Sequence, residues 1–339
     1  MFDMLIILLL SFVPMILYSA ILWWFDRYEK EPLIFVIGAF VWGAVPSVIL
    51  AIIMQVLLNI PIVALSPDNF TYDMIGGSLV APLTEEFVKA LAVITMVIVL
   101  RREIHSPLDG LIYGGLAGFG FAAVENVLYL SGAYATGGLG GAIGLAVFRA
   151  GVFGLNHAMY TGFTGLGAAM ALEIKTVWLK PVPLLIGFGI ALLTHALHNG
   201  LAIISSHTGS FLAFLGAIFA DWSGVAVLLV VIAWTFFLER KRIQVYGTHL
   251  AGLGVISAEE SAVLHSLWRR GINRAHVLLD GNLGGWWQVG RYYHKIAQAA
   301  FTFHRQQQGD RRAPQNLARL EQEVSQLRGL LTGANVVLR

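Results

Sequence analysis

The sequence contains no cysteine and little charge. The lack of cysteine excludes disulfide bonds, zinc–thiolate sites and a cysteine nucleophile, so a metal ion would need histidine and carboxylate ligands. Charged residues make up 12% of the 339 residues, against about 25% in a typical soluble domain. The formal net charge of +2 is too small to indicate nucleic acid as a partner.

Hydrophobic residues make up 57% of the chain and are gathered in long runs. About 20 apolar residues form a helix that crosses a lipid bilayer. The first run is expected to be a retained helix rather than a signal peptide, because it lacks a basic segment, contains Asp3 and is long enough to span. The sequence predicts an all-α polytopic membrane helix bundle of about seven transmembrane helices, at 4–24, 32–58, 74–100, 109–131, 152–173, 183–206 and 221–239.

The loops between these runs differ in charge. Basic residues follow the third, fifth and seventh runs, at Arg101, Arg102, His105, Lys175, Lys180, Arg240, Lys241 and Arg242. The loops on the other side, around 59–73, 131–141 and 205–210, contain neither Lys nor Arg. The positive-inside rule therefore predicts a multi-pass plasma-membrane protein with its N-terminus outside and its C-terminus in the cytoplasm. The sequence does not decide whether the segments 139–151 and 208–220 are re-entrant or lie on the outer surface.

The composition divides the chain into a transmembrane core at 1–239 and a polar tail at 240–339. The tail predicts a small cytosolic helical domain, with a helix start at Ser257-Ala258-Glu259-Glu260. Its last part spaces apolar residues alternately three and four apart, at Leu317, Leu320, Val324, Leu327 and Leu331. This short stripe predicts either a homodimerisation or regulatory element, or a helix that packs on its own domain.

Four of the hydrophobic runs contain ionisable residues, although a charge at mid-bilayer costs about 2.5–3.5 kcal/mol on translocon-based scales. In the third run Lys89 follows Glu85 by four residues and Glu86 by three, so both carboxylates reach it on one helix face. A structural ion pair would use only one of them. In the fourth run Glu125 and Asn126 follow closely spaced glycines, which permit close helix contact.

The fifth run contains His157, and the sixth places His195, His198 and Asn199 on one helix face. Two histidines one turn apart can share a metal ion, and a histidine with an amide can hold water and donate to an oxyanion. The helical rise brings all these groups to one layer in the middle-to-outer half of the bilayer. Arg149 and Asp221 are predicted to lie outside this site.

Four strings carry a resemblance to a known family: EEFVK at 85–89, FAAVEN at 121–126, the segment around His157, and HALHN at 195–199. In this order they resemble the PrsW family of intramembrane proteases, related to the CAAX prenyl proteases and bacteriocin-processing proteins. The connector DRYEKEP at 26–32 also resembles that family. The resemblance covers about residues 20–205 and leaves the tail out. It implies hydrolysis of a peptide bond of a membrane-anchored protein, such as an anti-sigma factor.

The resemblance also implies roles for individual residues. Glu85 and Glu86 are the expected catalytic carboxylates, and Lys89 matches the basic position of their motif. Glu125, His157 and His195 would complete a water- or metal-binding set, which His198 on the face of His195 would extend. The hypothesis is that Glu85 or Glu86 acts as general base on a water held by that set, with or without a divalent metal such as zinc, although no HExxH motif is present.

Asn199 or His198 would donate a hydrogen bond to the tetrahedral oxyanion. Two other classes of function use the same polar groups. The first is a proton- or cation-coupled transporter, since intramembrane Glu, His and Lys also form relays; no inverted repeat is visible to support it. The second is a non-catalytic membrane scaffold, which broken motifs would favour, and the motifs here are intact.

Overall fold

The computed structural model describes residues 2–28, 30–101, 104 and 106–333. Within these residues every regular element is a helix, so the all-α prediction is confirmed. Glu29, Arg102 and His105, which belong to the predicted loops, lie outside the described residues.

Among the described residues, the hydrophobic part of the chain forms nine helices: α1 (Phe2–Phe25), α2 (Leu33–Trp42), α3 (Val48–Leu65), α4 (Asn69–Ile75), α5 (Ala81–Val99), α6 (Pro107–Ala146), α7 (Asn156–Glu173), α8 (Pro181–Thr208) and α9 (Phe211–Gly252). Single π-helical turns at Gly43–Ser47, Gly76–Val80 and Val147–Val152 interrupt this part of the chain. Four helices follow: α10 (Ala258–Leu264), α11 (Leu267–Leu279), α12 (Leu283–Gln307) and α13 (Ala313–Gly333).

Five helical stretches of the described chain are long and apolar enough to cross a membrane: Phe2–Phe25, Leu33–Leu65, Pro107–Glu173, Val177–Thr208 and Phe211–Gly252. The predicted count of about seven is therefore not confirmed. The fourth and fifth predicted spans fall within one of these stretches. The third predicted span corresponds to α5, whose Glu85, Glu86 and Lys89 reduce its apolar character.

The segment 139–151, left open from the sequence, is helical. α6 continues to Ala146 after a kink at Gly138, whose φ of 59° lies in the left-handed region that favours glycine, and the π-helical turn Val147–Val152 follows. Leu130 on one side of the kink packs in one cluster with Ala142 and Ala146 on the other side. The chain thus folds back at Gly138 as a helical hairpin.

The segment 208–220 is helical as well. Gly209, with a φ of 67°, ends α8, and α9 then begins at Phe211. α9 continues without interruption to Gly252, so the predicted span 221–239 is longer at both ends.

The chain divides into two compact units. The first comprises Met1–Phe25 and Glu31–Ile232, and the second comprises Asp26–Lys30 and Ala233–Arg339. The division lies inside α9, a few residues before the predicted boundary at 239. The short connector after α1 belongs to the second unit, where Tyr28 is buried in the core and its hydroxyl donates to the carbonyl of His265 (3.1 Å).

Glycines determine the spacing of α6 and α7 in the first unit. A Cβ atom on Gly110 would lie 2.2 Å from the carbonyl oxygen of Gly165, and one on Gly118 would lie 2.2 Å from that of His157. Both distances are far below van der Waals contact. The two helices therefore pack backbone against backbone, as small residues permit in membrane helices.

In the second unit, α13 buries its apolar stripe in the core that it shares with α12. All five stripe residues are buried there: Leu317, Leu320, Val324, Leu327 and Leu331. The stripe packs on its own domain, and the predicted homodimer is not supported. The predicted helix start is confirmed, since α10 begins after Ser257, whose side chain accepts from the backbone N–H of Glu260 (3.0 Å).

Candidate active site

A polar cavity of about 60 Å³ lies inside the first unit, among α6, α7, α8 and the turn Val147–Val152. Its polar lining residues are Glu125, Asn126, Tyr129, Arg149, Asn156, His157, Tyr160, His195, His198 and Asn199. Glu85, Glu86 and Lys89 of α5 lie directly behind His157 and His195, as the distances below establish. The structure therefore brings the sequence-predicted site residues together.

Lys89 joins α5 to α7. Its fully buried Nζ donates to Oε1 of Glu86 (2.8 Å) and to Nδ1 of His157 (2.9 Å), and lies 3.4 Å from Oε2 of Glu85. The ring of Phe121 lies 3.9 Å from the ammonium group. A buried ammonium needs such partners, because the desolvation of an unpaired charge is very unfavourable.

Glu86 joins α5 to α7 and α8. Besides the Lys89 ammonium, its Oε1 accepts from Nδ1 of His195 (3.1 Å), while Oε2 accepts from the hydroxyl of Thr161 (3.1 Å). The ring of Tyr160 stacks on that of His195 with a centroid distance of 4.6 Å. Glu86 and Tyr160 thus fix the orientation of His195, and its Nε2 faces Oε2 of Glu85 at 3.8 Å.

Glu125 accepts hydrogen bonds from an imidazole and from a guanidinium group. Its Oε2 accepts from Nε2 of His157 (2.9 Å) and from Nη2 of Arg149 (2.5 Å), and Nε of Arg149 donates to Asn126 (2.7 Å). The expectation that Arg149 lies outside the site is therefore wrong. The hairpin at Gly138 returns the chain to the level of Glu125. Arg149 is the only Asp, Glu, Lys or Arg between Glu125 and Glu173, which is the signal that identifies it.

Asp221 also belongs to the site region, contrary to expectation. Its buried carboxylate accepts from Nδ1 of His198 (2.6 Å), from Nδ2 of Asn156 (2.9 Å) and from the hydroxyl of Tyr160 (3.1 Å). The sequence signal is again a lone charge in an apolar run, since Asp221 is the only Asp, Glu, Lys or Arg between Lys180 and Glu239.

Asn199 lines the cavity but is tied to a neighbouring element. Its Nδ2 donates to the carbonyl of Gly77 (2.8 Å), in the π-helical turn Gly76–Val80. An amide NH₂ group has two hydrogens, so one remains for a second acceptor.

The model of the PrsW family intramembrane metalloproteases matches residues 31–237, more than half of the chain. The chain belongs to the PrsW family. The resemblance inferred from the four motifs is thereby confirmed. The matched region contains every helix that lines the cavity, and the chain is a multi-pass membrane protein.

Two proteins called Protease PrsW are similar to the chain. The one from Clostridioides difficile (strain 630) is 35% identical over 105 residues, which are 31% of this chain and 42% of that protein. The one from Geobacillus kaustophilus (strain HTA426) is 34% identical over 140 residues, which are 41% of this chain and 55% of that protein. The chain thus spans about half the length of the curated relatives it matches. No solved structure matches it significantly.

Three side chains of this PrsW family member form a group that can hold a metal ion. Within the described residues, ligand atoms of Glu85, His157 and His195 all lie within 4.8 Å of one another. Two imidazoles and one carboxylate are a ligand set of catalytic zinc sites. Glu125 and His198, also predicted as ligands, are not in this group; Glu125 contacts Arg149, and His198 contacts Asp221.

The surroundings of this group fit a divalent cation in part. The Nδ1–H of His195 donates to Glu86, the outer carboxylate that typically orients a metal-binding histidine. Its Nε2 and the Glu85 oxygen are two acceptors that face each other. At His157, in contrast, both ring nitrogens are engaged, by Lys89 and by Glu125. A metal ion at Nδ1 would therefore displace the Lys89 ammonium, and one at Nε2 would displace Glu125, because each ring nitrogen has only one lone pair or one hydrogen.

Proposed function

We propose that this chain is an intramembrane endopeptidase that hydrolyses a peptide bond of a membrane-anchored protein. The observation that carries the proposal is the arrangement of the buried Glu85, Glu86 and Lys89 behind His157 and His195, which line a polar cavity. Carboxylates and imidazoles are groups that can take a proton from water as general bases. The substrate class is the one that the family resemblance implies, such as an anti-sigma factor.

Glu85 is the proposed general base. Glu86 is held by Lys89, His195 and Thr161, so it acts as a fixed charge that orients His195. Glu85 is less restrained, with Gln55 donating at 3.2 Å and the Lys89 ammonium at 3.4 Å. It faces His195 Nε2, and a water between these two acceptors would give its proton to Glu85 as its oxygen adds to the scissile carbonyl carbon.

The tetrahedral intermediate places a negative charge on the former carbonyl oxygen. The second amide hydrogen of Asn199 is the proposed donor to this oxyanion, since Asn199 lines the cavity next to His195. The tie to Gly77 would keep this amide in place while the charge develops.

If a divalent metal is bound, Glu85, His157 and His195 would hold it, and it would supply Lewis-acid activation of water and of the scissile carbonyl. Glu85 would then serve as a ligand rather than as the base. Glu125 supports either form of the site, because it orients His157 through the Nε2–H of that ring.

The proposed orientation places the N-terminus outside and the second unit in the cytoplasm of a plasma-membrane protein. Its support is the distribution of basic residues, which follow α5, α7 and the apolar part of α9. In this orientation the polar cavity is reached from the outer half of the bilayer.

The test reconstitutes the full-length protein in liposomes with synthetic single-span peptides. Each peptide has a 20-residue Leu/Ala helix followed by a randomised polar segment, and mass spectrometry detects cleavage. Wild type should cut a subset of peptides, and Glu85→Gln should not. The matched control, Glu173→Gln, changes an exposed carboxylate at the end of α7 and should cut like wild type.

A chelator separates the two forms of the site, because it abolishes cleavage only if a metal is required. Ion and proton flux into the same liposomes tests the transporter alternative. Flux that depends on Glu85, without any peptide cleavage, would overturn the proposed endopeptidase.

A further inference from the structure

Asp221 receives hydrogen bonds from two other helices. It lies on α9, has 1% of its surface exposed, and accepts from His198 of α8 and from Asn156 and Tyr160 of α7. Among the described residues, only a protonated His198 would form an ion pair with Asp221. A carboxylate buried in an apolar segment is costly, so an arrangement with three convergent donors indicates a function.

The contact with Asp221 determines how His198 presents its ring. A carboxylate accepts hydrogen bonds only, so Nδ1 of His198 carries the hydrogen that Asp221 binds at 2.6 Å. The ring of Phe153 packs edge-on against the imidazole at 4.9 Å. The other nitrogen, Nε2, is left for the cavity, which His198 lines together with Glu125 and His195.

Amide hydrolysis has a second proton transfer, for which a donor is needed at the cavity itself. When the tetrahedral intermediate collapses, the leaving nitrogen must be protonated, because an amide anion is a very poor leaving group. Glu85 carries the proton that it took from water but is not among the residues that line the cavity, and Lys89 is held by Glu86 and His157. His198 is a further titratable group at the cavity and lies outside the group that can hold a metal.

We propose that His198 is the proton donor to the leaving amine and that Asp221 is its positioning residue, a role that rests on the proposed endopeptidase function. As the C–N bond breaks, its electron pair goes to nitrogen, which takes the proton from Nε2 of His198. The imidazole becomes neutral and keeps its Nδ1–H on Asp221. The proton that Glu85 took from water returns to His198 through water in the cavity, so the cycle is balanced.

The first unit contains a matched control pair. His207 of α8 and Asp73 of α4 make the same type of contact, with Nε2 of the histidine 2.8 Å from the carboxylate. These side chains are 32% and 44% exposed and are not among the residues that line the cavity. An Asp73→Asn substitution therefore removes a His–Asp pair without touching the proposed chemistry.

The experiment uses full-length protein in liposomes and two probes: a single-span peptide that wild type cleaves, and its ester analogue with oxygen in place of the scissile N–H. Asp221→Asn and His198→Gln should each lower kcat for the amide roughly 10²–10⁴-fold, with KM changed little. The double variant should be no slower than His198→Gln. On the ester the loss should be less than about tenfold, since an alkoxide needs less protonation. Asp73→Asn should match wild type on both probes.

Equal losses on amide and ester would overturn the proton-donor role, and additive losses in the double variant would overturn the role of Asp221 through His198. If the Asp221→Asn protein does not accumulate, the comparison of amide and ester cleavage by His198→Gln still decides whether His198 is the donor. The role of Asp221 is then tested with Tyr160→Phe, which removes one of the hydrogen bonds that Asp221 accepts. If wild type cleaves no single-span peptide, the proposed function itself fails. If Glu85→Gln abolishes cleavage while Asp221→Asn and His198→Gln cleave the amide as fast as wild type, only the present inference fails.

Discussion

Nδ1 of His195 lies 3.1 Å from Oε1 of Glu86, although 109 residues separate them in the chain. This hydrogen bond joins α8 to α5 and leaves Nε2 of His195 facing Glu85. Glu86 also binds Lys89, so a single carboxylate fixes both a histidine and the buried cation. The two adjacent glutamates consequently differ: Glu86 holds both of these partners, whereas Glu85 is the proposed base.

Lys89 should be essential for stability. Lys89→Met leaves Glu86 buried beside His195 without its cation, and the loss of one partner of a buried ion pair typically costs about 3–5 kcal/mol. Adding Glu86→Gln to this variant should recover part of the loss, since the unpaired charge is then removed. The measurement is the free energy of unfolding in mixed detergent micelles. A double variant less stable than Lys89→Met would contradict this account of the pair.

The sequence alone predicts most of the residues that the structure brings together, for a physical reason. Helical spacing places Lys89 on the same face as Glu85 and Glu86, and the cost of intramembrane charge indicates that Glu125 and His195 lie inward. The pairing between helices is a tertiary property. Arg149 meets Glu125 only because the chain reverses at Gly138, and a glycine-rich segment does not reveal which glycine adopts a positive φ.

The positions at which helices begin and end likewise depend on tertiary contacts. Hydropathy locates the apolar runs, yet it does not show that α6 continues past its kink or that α9 extends to Gly252. The spacing of the apolar stripe in α13 fits a dimerisation helix and a helix that packs on its own domain equally well. Its burial in the core shared with α12 favours the second.

Arg149 should be needed for activity. Arg149→Met leaves Glu125 without its charged donor, so His157 loses a fixed partner, and we expect cleavage to fall about tenfold or more. Arg149→Lys should not restore it, because an ammonium cannot donate to Glu125 and Asn126 in the forked geometry of guanidinium. Peptide cleavage in liposomes measures both variants. The control is Arg101→Met, which changes an exposed arginine and should leave cleavage unchanged. Full activity of Arg149→Lys would contradict the forked contact.

Gly118 should tolerate no side chain. A Cβ atom there would lie 2.2 Å from the His157 carbonyl, so Gly118→Ala should separate α6 from α7, with a destabilisation of about 1–3 kcal/mol or more and loss of cleavage. Gly144→Ala in the same helix is the matched control, since it meets no atom within 4 Å. Alanine there should be neutral or stabilising by up to about 1 kcal/mol. Equal thermal stability of the two variants would refute the backbone contact.

The second unit should lose stability in acid through His294. Burial, with Lys295 and Arg270 nearby, lowers the pKa of His294 from 6.5 to about 4. The folded unit therefore favours the neutral ring, whereas the unfolded chain binds a proton below about pH 6.5. The free energy of unfolding is therefore undiminished above pH 6.5, and it falls by up to about 3 kcal/mol as the pH is lowered towards 4.

His294→Gln tests this linkage in the full-length protein. Hydrogen exchange of α12 amides, corrected for intrinsic rates, gives the free energy of opening between pH 4 and 7.5. The difference between wild type and variant should change across the range from 6.5 to 4 and be constant above it. A difference that does not depend on pH would show that His294 titrates normally.

The central claim is that Glu85 activates a water molecule that cleaves a peptide bond. Its most direct test is single-turnover cleavage of a reconstituted single-span peptide in H₂¹⁸O, with wild type, Glu85→Gln and the exposed control Glu173→Gln compared by mass spectrometry. The account predicts one ¹⁸O atom in the new carboxyl terminus for wild type and the control, and no product for Glu85→Gln. Product of the same mass and rate from Glu85→Gln would contradict it.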